Sequence, residues 1–399
     1  MLPPRFFISL LLLVLGGILV TPLESWSGQR DFSTGSSSMD RGPQKTETAE
    51  VDHQEKDTVQ GIPWQGEPGV IETVDGIMAR ERQSERSQGA TPRELEPFFK
   101  TPRNHLEQNP LSPAVSSWPA LPGFEIPTSL GVAYQAQVVG ANFLGAQYSE
   151  ASGDVPPDSM GAVGPSQFLV CVNGRVKVFD KKGALGSLNA STDVFFASVR
   201  GTALTTDPRV RFDRFSGRWF VQMITLDLPN KILIAVSSGG TITSISSFSF
   251  FRFQQDQVFP AGDTGAFADY DTLGIDSNAL YIGVNVRSDN TSSSQFLSTT
   301  GFVVRKSSLL SGGPIFVTAF RKLATATDRG PYSPQGVDND DPLATEGYFI
   351  GVDTTTLGLL QLLRVSDPGG LPSISSNIYH CSDYGNTCSC SRQWQSAST

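Results

Sequence analysis

Four aspartates stand at matching distances ahead of short apolar segments. Asp158 lies five residues before Val163 and Asp207 five before Phe212; Asp269 and Asp271 lie six and four before Ile275. The fourth comparable position carries Tyr332 and Ser333 instead, ahead of Val337. Carboxylates that converge from several strands can do three things. They can bind Ca²⁺ through hard oxygen ligands. They can serve as acid and as base or nucleophile on a glycosidic bond. Or each can fix its own turn through its side chain. All three readings stay open, with Asp158, Asp207, Asp269 and Asp271 as the candidate metal ligands and Ca²⁺ as the candidate cofactor. Other chemistries have no residues here. Residues 128–377 contain no His, so a Ser-His-Asp or Cys-His mechanism lacks its base. No Gly-rich phosphate loop precedes a helix.

The elements that must position these acids recur along the chain. Leu273–Asn285 reads Leu-Gly-Ile-Asp-Ser-Asn-Ala-Leu-Tyr-Ile-Gly-Val-Asn, and Gly161–Asn173 aligns with it without a gap. Val210–Gln222 and Gly336–Asp353 align after short insertions in the turn. Each copy is a short apolar strand, a turn of Gly, Asp, Asn and Ser, and a second apolar strand. The anchors Val163, Phe212, Ile275 and Val337 follow one another at about 50 to 60 residues, the repeat of a β-propeller with four-stranded blades. A small sheet with two apolar faces cannot cover both alone, and radial packing between neighbours covers them. A β-sandwich is the alternative architecture, and it leaves the repeated hairpin unexplained. Trp219, Tyr281 and Phe349 on second strands are expected to fill the contacts between blades. Val194–Val199 is expected to be a strand. Asp213, Asp276 and Asp338 are expected to shape hairpin turns, and Asp338-Asn-Asp-Asp341 is a second candidate Ca²⁺ loop. Radial symmetry should bring the four candidate acids to one end of the channel. Their mutual repulsion then calls for a Ca²⁺ or an arginine among them, and Arg209 and Arg211, two apart on one strand, are the basic residues at hand.

Residues 1–27 have the form of a secretory signal peptide: Arg5, then a largely apolar run from Phe6 to Val20, then Ser25-Trp26-Ser27. The run is short for a membrane span of about 20 residues, and an uncleaved N-terminal anchor is the alternative. Residues 28–127 are polar, with few large apolar side chains, and read as a disordered linker or stalk; within them Ile71–Arg86 and Arg93–Phe99 can form short helices. Residues 128–372 form the expected propeller-like domain, opening with strands in Ser129–Gly145, and 373–399 an atypical tail that suggests truncation. The tail holds Cys381, Cys388 and Cys390, whose spacing with His380 fits no common zinc module. Cys171 sits in a strand as a small apolar residue. The 39 glycines and 26 prolines suit a turn-rich β protein. The net charge of -9, with no Lys/Arg cluster in the core, argues against nucleic-acid binding.

The run Pro156-Pro-Asp-Ser-Met-Gly-Ala-Val-Gly164 is followed by Asn173, Val178-Phe-Asp180, Asp207-Pro-Arg-Val-Arg-Phe-Asp213 and Gly217-Arg-Trp219. Together these residues resemble a family of secreted bacterial propeller-like proteins of unknown function. The likeness covers about Asn142 to Pro372. It implies secretion and a propeller-like fold, and it supplies no reaction or catalytic residue. The expected function is an extracellular binding or scaffold module for a glycan or protein ligand, rather than an enzyme, with membrane contact only through an uncleaved N-terminus. The alternative is a glycan-active hydrolase that uses the carboxylates at the channel mouth.

Overall fold

The computed structural model describes residues 58–85, 139–151, 155–327, 330–353 and 359–380. The signal-peptide segment, most of the stalk, residues 128–138 and the tail cysteines lie outside the described residues. The fold is all-β and propeller-like. In chain order its elements begin with β1 (Val59–Gln60), β2 (Trp64–Pro68), β3 (Val70–Thr73) and α1 (Val74–Glu85). The first sheet follows as β4 (Met160–Val163), β5 (Gln167–Val172), β6 (Arg175–Asp180) and β7 (Leu185–Ala190), trailed by the one-turn helices α2 (Thr192–Phe195) and α3 (Ala197–Arg200). The second sheet is β8 (Thr205–Asp213), β9 (Arg218–Thr225), β10 (Lys231–Ser237) and β11 (Ser247–Gln254). The third holds β12 (Phe267–Asp269), β13 (Gly274–Ile275), β14 (Ala279–Arg287), β15 (Phe296–Arg305) and β16 (Pro314–Phe320), with α4 (Lys306–Leu310) between the last two. The fourth is β17 (Tyr332–Gly336), β18 (Glu346–Val352), β19 (Leu359–Ser366) and β20 (Ser373–His380). Every sheet is an antiparallel meander.

Strand periodicity explains how the sheets stack. Successive side chains point to opposite faces. On β14, Leu280, Ile282, Val284 and Val286 join a core shared with the second sheet, while Ala279 and Tyr281 join one shared with the fourth. On β10, Ile232, Ile234 and Val236 face the third sheet, and Leu233 and Ala235 face the first. Three apolar seams thus join sheets one to two, two to three and three to four. The far face of the first sheet is covered differently: Phe168, Val170, Val172 and Phe179 pack against Phe143, Ala146 and Ala151. The aromatic residues expected in the seams are there. Trp219 is fully buried, its ring 4.8 Å from Phe212, and its indole N–H donates to the Gly240 carbonyl at 3.0 Å. Gly164, from the recurring stretch, leaves room for it: a Cβ there would sit 2.5 Å from Trp219 Cζ2. Tyr281 meets Phe349 edge-on at 5.7 Å and donates its hydroxyl to Asp276 at 2.6 Å.

The structure corrects four expectations. First, Val194–Val199 is two helical turns, and the first sheet closes with Leu185–Ala190 instead. Ser191 Oγ accepts from the Val194 N–H and caps the first turn, and Phe195 and Phe196 are buried as a T-shaped pair. Second, part of the expected stalk is built into the fold. β1 pairs with β20, β2 with β16 and β3 with β11, so each lengthens the outer edge of a sheet. α1 follows, inserting Val74 and Ile77 into the core between the first two sheets. Residues 58–85 therefore form a belt that visits the sheets in the order fourth, third, second, first. Third, β20 carries the domain to His380, past the expected boundary at 372. Fourth, residues 139–145, the described part of Ser129–Gly145, contain no strand.

Candidate functional site

The candidate acids stand where the inner edge of each sheet begins. At these positions the backbone takes the left-handed conformation in all four sheets, at Asp158 (φ 37), Asp207 (φ 57), Tyr270 (φ 50) and Ser333 (φ 44). Asp tolerates it and Ser less so; Tyr rarely adopts it. An amide side chain on the neighbouring strand holds the turn of the next sheet. Asn173 Oδ1 accepts from the Asp207 N–H at 2.9 Å, and its Nδ2 donates to Asp158 Oδ2 at 2.8 Å. Gln222 Nε2 donates to Asp271 Oδ2 at 2.5 Å. Asn285 Oδ1 accepts from the Ser333 N–H at 3.1 Å, and its Nδ2 donates to Ser333 Oγ at 2.9 Å. These three amides are the final residues of three copies of the recurring stretch. Sequence reasoning passed over them although the alignment put them in one column.

All four acids come together. Asp158 is half-buried and lies near enough to Asp207 for each to bear on the other's charge, so acids of two sheets interact. Burial, then the charge of Asp207, pushes the Asp158 carboxyl up to about 6, against relief from Asn173 and Arg209. Burial, again with Asp207, raises Asp269 to about 7; Arg287, 3.7 Å away, opposes the shift. Asp271 is wholly buried, and burial holds its carboxyl well above the usual range, with Arg209 opposing. The arginine anticipated among the acids is Arg209. Its Nε donates to the Asp271 carbonyl at 2.5 Å, and its guanidinium lies 5.4 Å from the Tyr270 ring centroid. Among the described residues no group of three or more His, Cys, Asp or Glu is arranged to hold a metal ion; the positive charges found within the cluster are those of Arg209 and Arg287.

Arg211, on the same face of β8, reaches further. Its Nε donates to Asp338 Oδ2 at 2.8 Å, and Asp338 Oδ1 also accepts from the Ile275 N–H at 3.0 Å. This contact bridges the second sheet to the loop that follows β17. Of the remaining acids of that loop, Asp340 pairs with Arg214 of the second sheet at 3.1 Å, and Asp341 accepts from the Leu343 N–H. Asp213 and Asp276 behave as hairpin-turn residues, accepting from Phe215 and Ser216 and from Asn278 and Ala279. Asp213 has a second role. Lys306, equally buried, pairs with it at 3.0 Å and ties the third sheet to the second. Cys171 is a buried free thiol whose ionisation burial strongly opposes. The pairing of the other cysteines lies outside the described residues.

At the surface of this cluster stands Tyr270, 48% exposed although its neighbours Asp269 and Asp271 are buried. No protein-family model and no curated protein matches the chain. Among solved structures, the apocarotenoid oxygenase of Synechocystis is similar over 55% of this chain and 48% of its own, at 9% identity and a TM-score of 0.30. This chain thus spans about half the length of that protein. The arabinanase of Bacillus subtilis is similar over 55% and 93%, at 12% identity and TM-score 0.21. An α-L-arabinofuranosidase of Podospora anserina, solved with cellotriose, is similar over 56% and 89%, at 11% and 0.23. Likenesses this remote carry no statement about activity.

Proposed function

We propose that the protein is an exported binding module whose acidic mouth engages a glycan. The observation that carries this reading is Tyr270. An exposed aromatic ring is held in a backbone conformation that tyrosine rarely adopts, between two buried acids, with a guanidinium beneath it. Unfavourable local geometry of this kind persists where the surroundings impose it, and it clusters at ligand sites. An exposed ring suits the C–H face of a sugar, and half-buried Asp158 among the mouth acids can bond the hydroxyls. The export signal in residues 1–27 and the likeness to secreted bacterial proteins support an extracellular setting.

One observation favours hydrolysis as a second reading. Asp269, at about 7, keeps its proton near neutrality beside other acids, as a general acid must. Against it, Asp158 and Asp207 bear strongly on each other's charge, as carboxyls closer than the roughly 5 to 9.5 Å of glycosidase pairs do. Asp269 interacts electrostatically with both Asp207 and Asp158, so a working pair would have to include Asp269. Retention of the full-length protein on a panel of insoluble polysaccharides tests both readings. The binding reading expects retention without turnover, lost in Tyr270→Asn, which keeps the left-handed backbone and removes the ring. Product release that vanishes in both Asp207→Asn and Asp269→Asn transfers the site to the hydrolase reading. No retention on any glycan overturns the glycan assignment.

A further inference from the structure

A second site lies away from the acids, on the outer rim between the third and fourth sheets. There a cleft of about 330 Å³ is floored by Phe320, Leu323 and Leu363 and edged by Gly61 of the belt. Its volume falls at the small end of ligand sites, roughly 300 to 1,000 Å³. Gly61 lies hard against the rim, where a Cβ would come within 2.3 Å of Thr318 Cγ2 and 2.9 Å of Phe320 Cζ.

Two polar groups on this cleft have no partner among the described residues. Gln361 lines it at 5% exposure, and its carboxamide makes no side-chain hydrogen bond. Its carboxamide opens onto the cleft with both donors and an acceptor to offer. Lys322 is exposed at the edge with φ 55, a conformation rare for lysine, and its ammonium forms no ion pair or hydrogen bond. Arg321 beside it is different. Its guanidinium is spent on the Pro260, Gln255 and Val258 carbonyls and on Asp263, which fixes it as a wall.

We propose that this cleft binds a small amphipathic anion of the N-acyl amino acid type. The apolar side chain occupies the floor. The ligand amide, trans like other secondary amides, turns one of its groups to Gln361: its carbonyl accepts from Nε2, while Oε1 keeps its place on the cleft. The ligand carboxylate meets Lys322 at the open edge. None of the mouth acids lines this cleft, so the site stands independently of the glycan reading.

The test is calorimetric titration of the full-length protein with N-acetyl-L-phenylalanine and, in parallel, with its methyl ester. The expected result is saturable 1:1 binding of the acid, with the ester weaker by about ten-fold, the scale of one lost charge-assisted bond. Lys322→Asn, which keeps the left-handed backbone, should weaken the acid by a similar factor and leave the ester unchanged. Gln361→Leu should weaken both. Melting curves report whether Gln361→Leu folds; if it does not, the exposed Lys322 variant and the ester comparison carry the test alone. Absence of saturable binding at millimolar acid, or equal affinity for acid and ester in the wild-type protein, overturns the proposal.

Discussion

Asp269→Asn should stabilise the protein at pH 8 and leave it nearly unchanged at pH 4. The folded carboxyl titrates at about 7 against 3.8 for the ordinary group. Between those values the native state holds a proton that the unfolded chain has released, so stability falls as pH rises through the window. Above about 7 the penalty is complete. Some three pK units at 1.36 kcal/mol each give an upper bound of about 4 kcal/mol. Asparagine imitates the protonated acid in shape and abolishes the charge, so at pH 8 it removes the repulsion from Asp207 and the burial cost. The opposing contact with Arg287, 3.7 Å away, is already contained in that net shift, and relaxation around the buried group brings the expected gain to roughly 2 to 4 kcal/mol. Urea denaturation of both proteins at pH 4 and pH 8 reads this directly, as a higher midpoint for the variant at pH 8 alone. An equal shift at both pH values, or destabilisation at pH 8, would refute the claim that burial, with its acidic neighbours, raises the Asp269 carboxyl.

Two further outcomes follow from packing and pairing. Lys306→Met should cost about 3 to 5 kcal/mol by stranding buried Asp213, and a double-mutant cycle with Asp213→Asn should recover part of it; strictly additive losses would show that the pair is not coupled. Gly164→Ala should cost roughly 1 to 3 kcal/mol because its methyl meets Trp219, seen as a lower urea midpoint together with an altered tryptophan emission, and unchanged emission would place the indole elsewhere.

Much of this architecture was legible in the chain because a repeat writes the same physical problem four times. The anchors, the seam aromatics and the convergence of Asp158, Asp207, Asp269 and Asp271 all follow from aligning the recurring stretch. So does an arginine among the acids, since Arg209 is two residues from Asp207. Of the belt only the helix was legible: α1 (Val74–Glu85) falls within the expected Ile71–Arg86, but the three strands were not. Its strands lie on sheet edges with most side chains in solvent, as the exposed Val59, Val70 and Ile71 show, so they lack the alternation that betrays a half-buried strand. Ser191 caps the first of the two turns in Val194–Val199, and a capping side chain there outweighs the strand preference of Val194 over so short a run. The bonding of Asn173, Gln222 and Asn285 was missed for another reason: an amide at a strand end has no fixed meaning until the next sheet supplies the group it bonds.

The belt also sets a timetable. Val59 and Gln60 pair with Ile374 and Ser373, more than three hundred residues away in sequence, so a segment made early waits for a strand made late. Until then β11, β16 and β20 present bare edges of the kind that recruit other chains. Contacts of such long range slow folding, and here they fall at its last step. Synthesis from the N-terminus therefore offers no sequential route to the finished molecule. The sheets can collapse in order, but the belt can dock along its whole length only after the fourth has formed, and a chain in transit is most prone to aggregate in that interval.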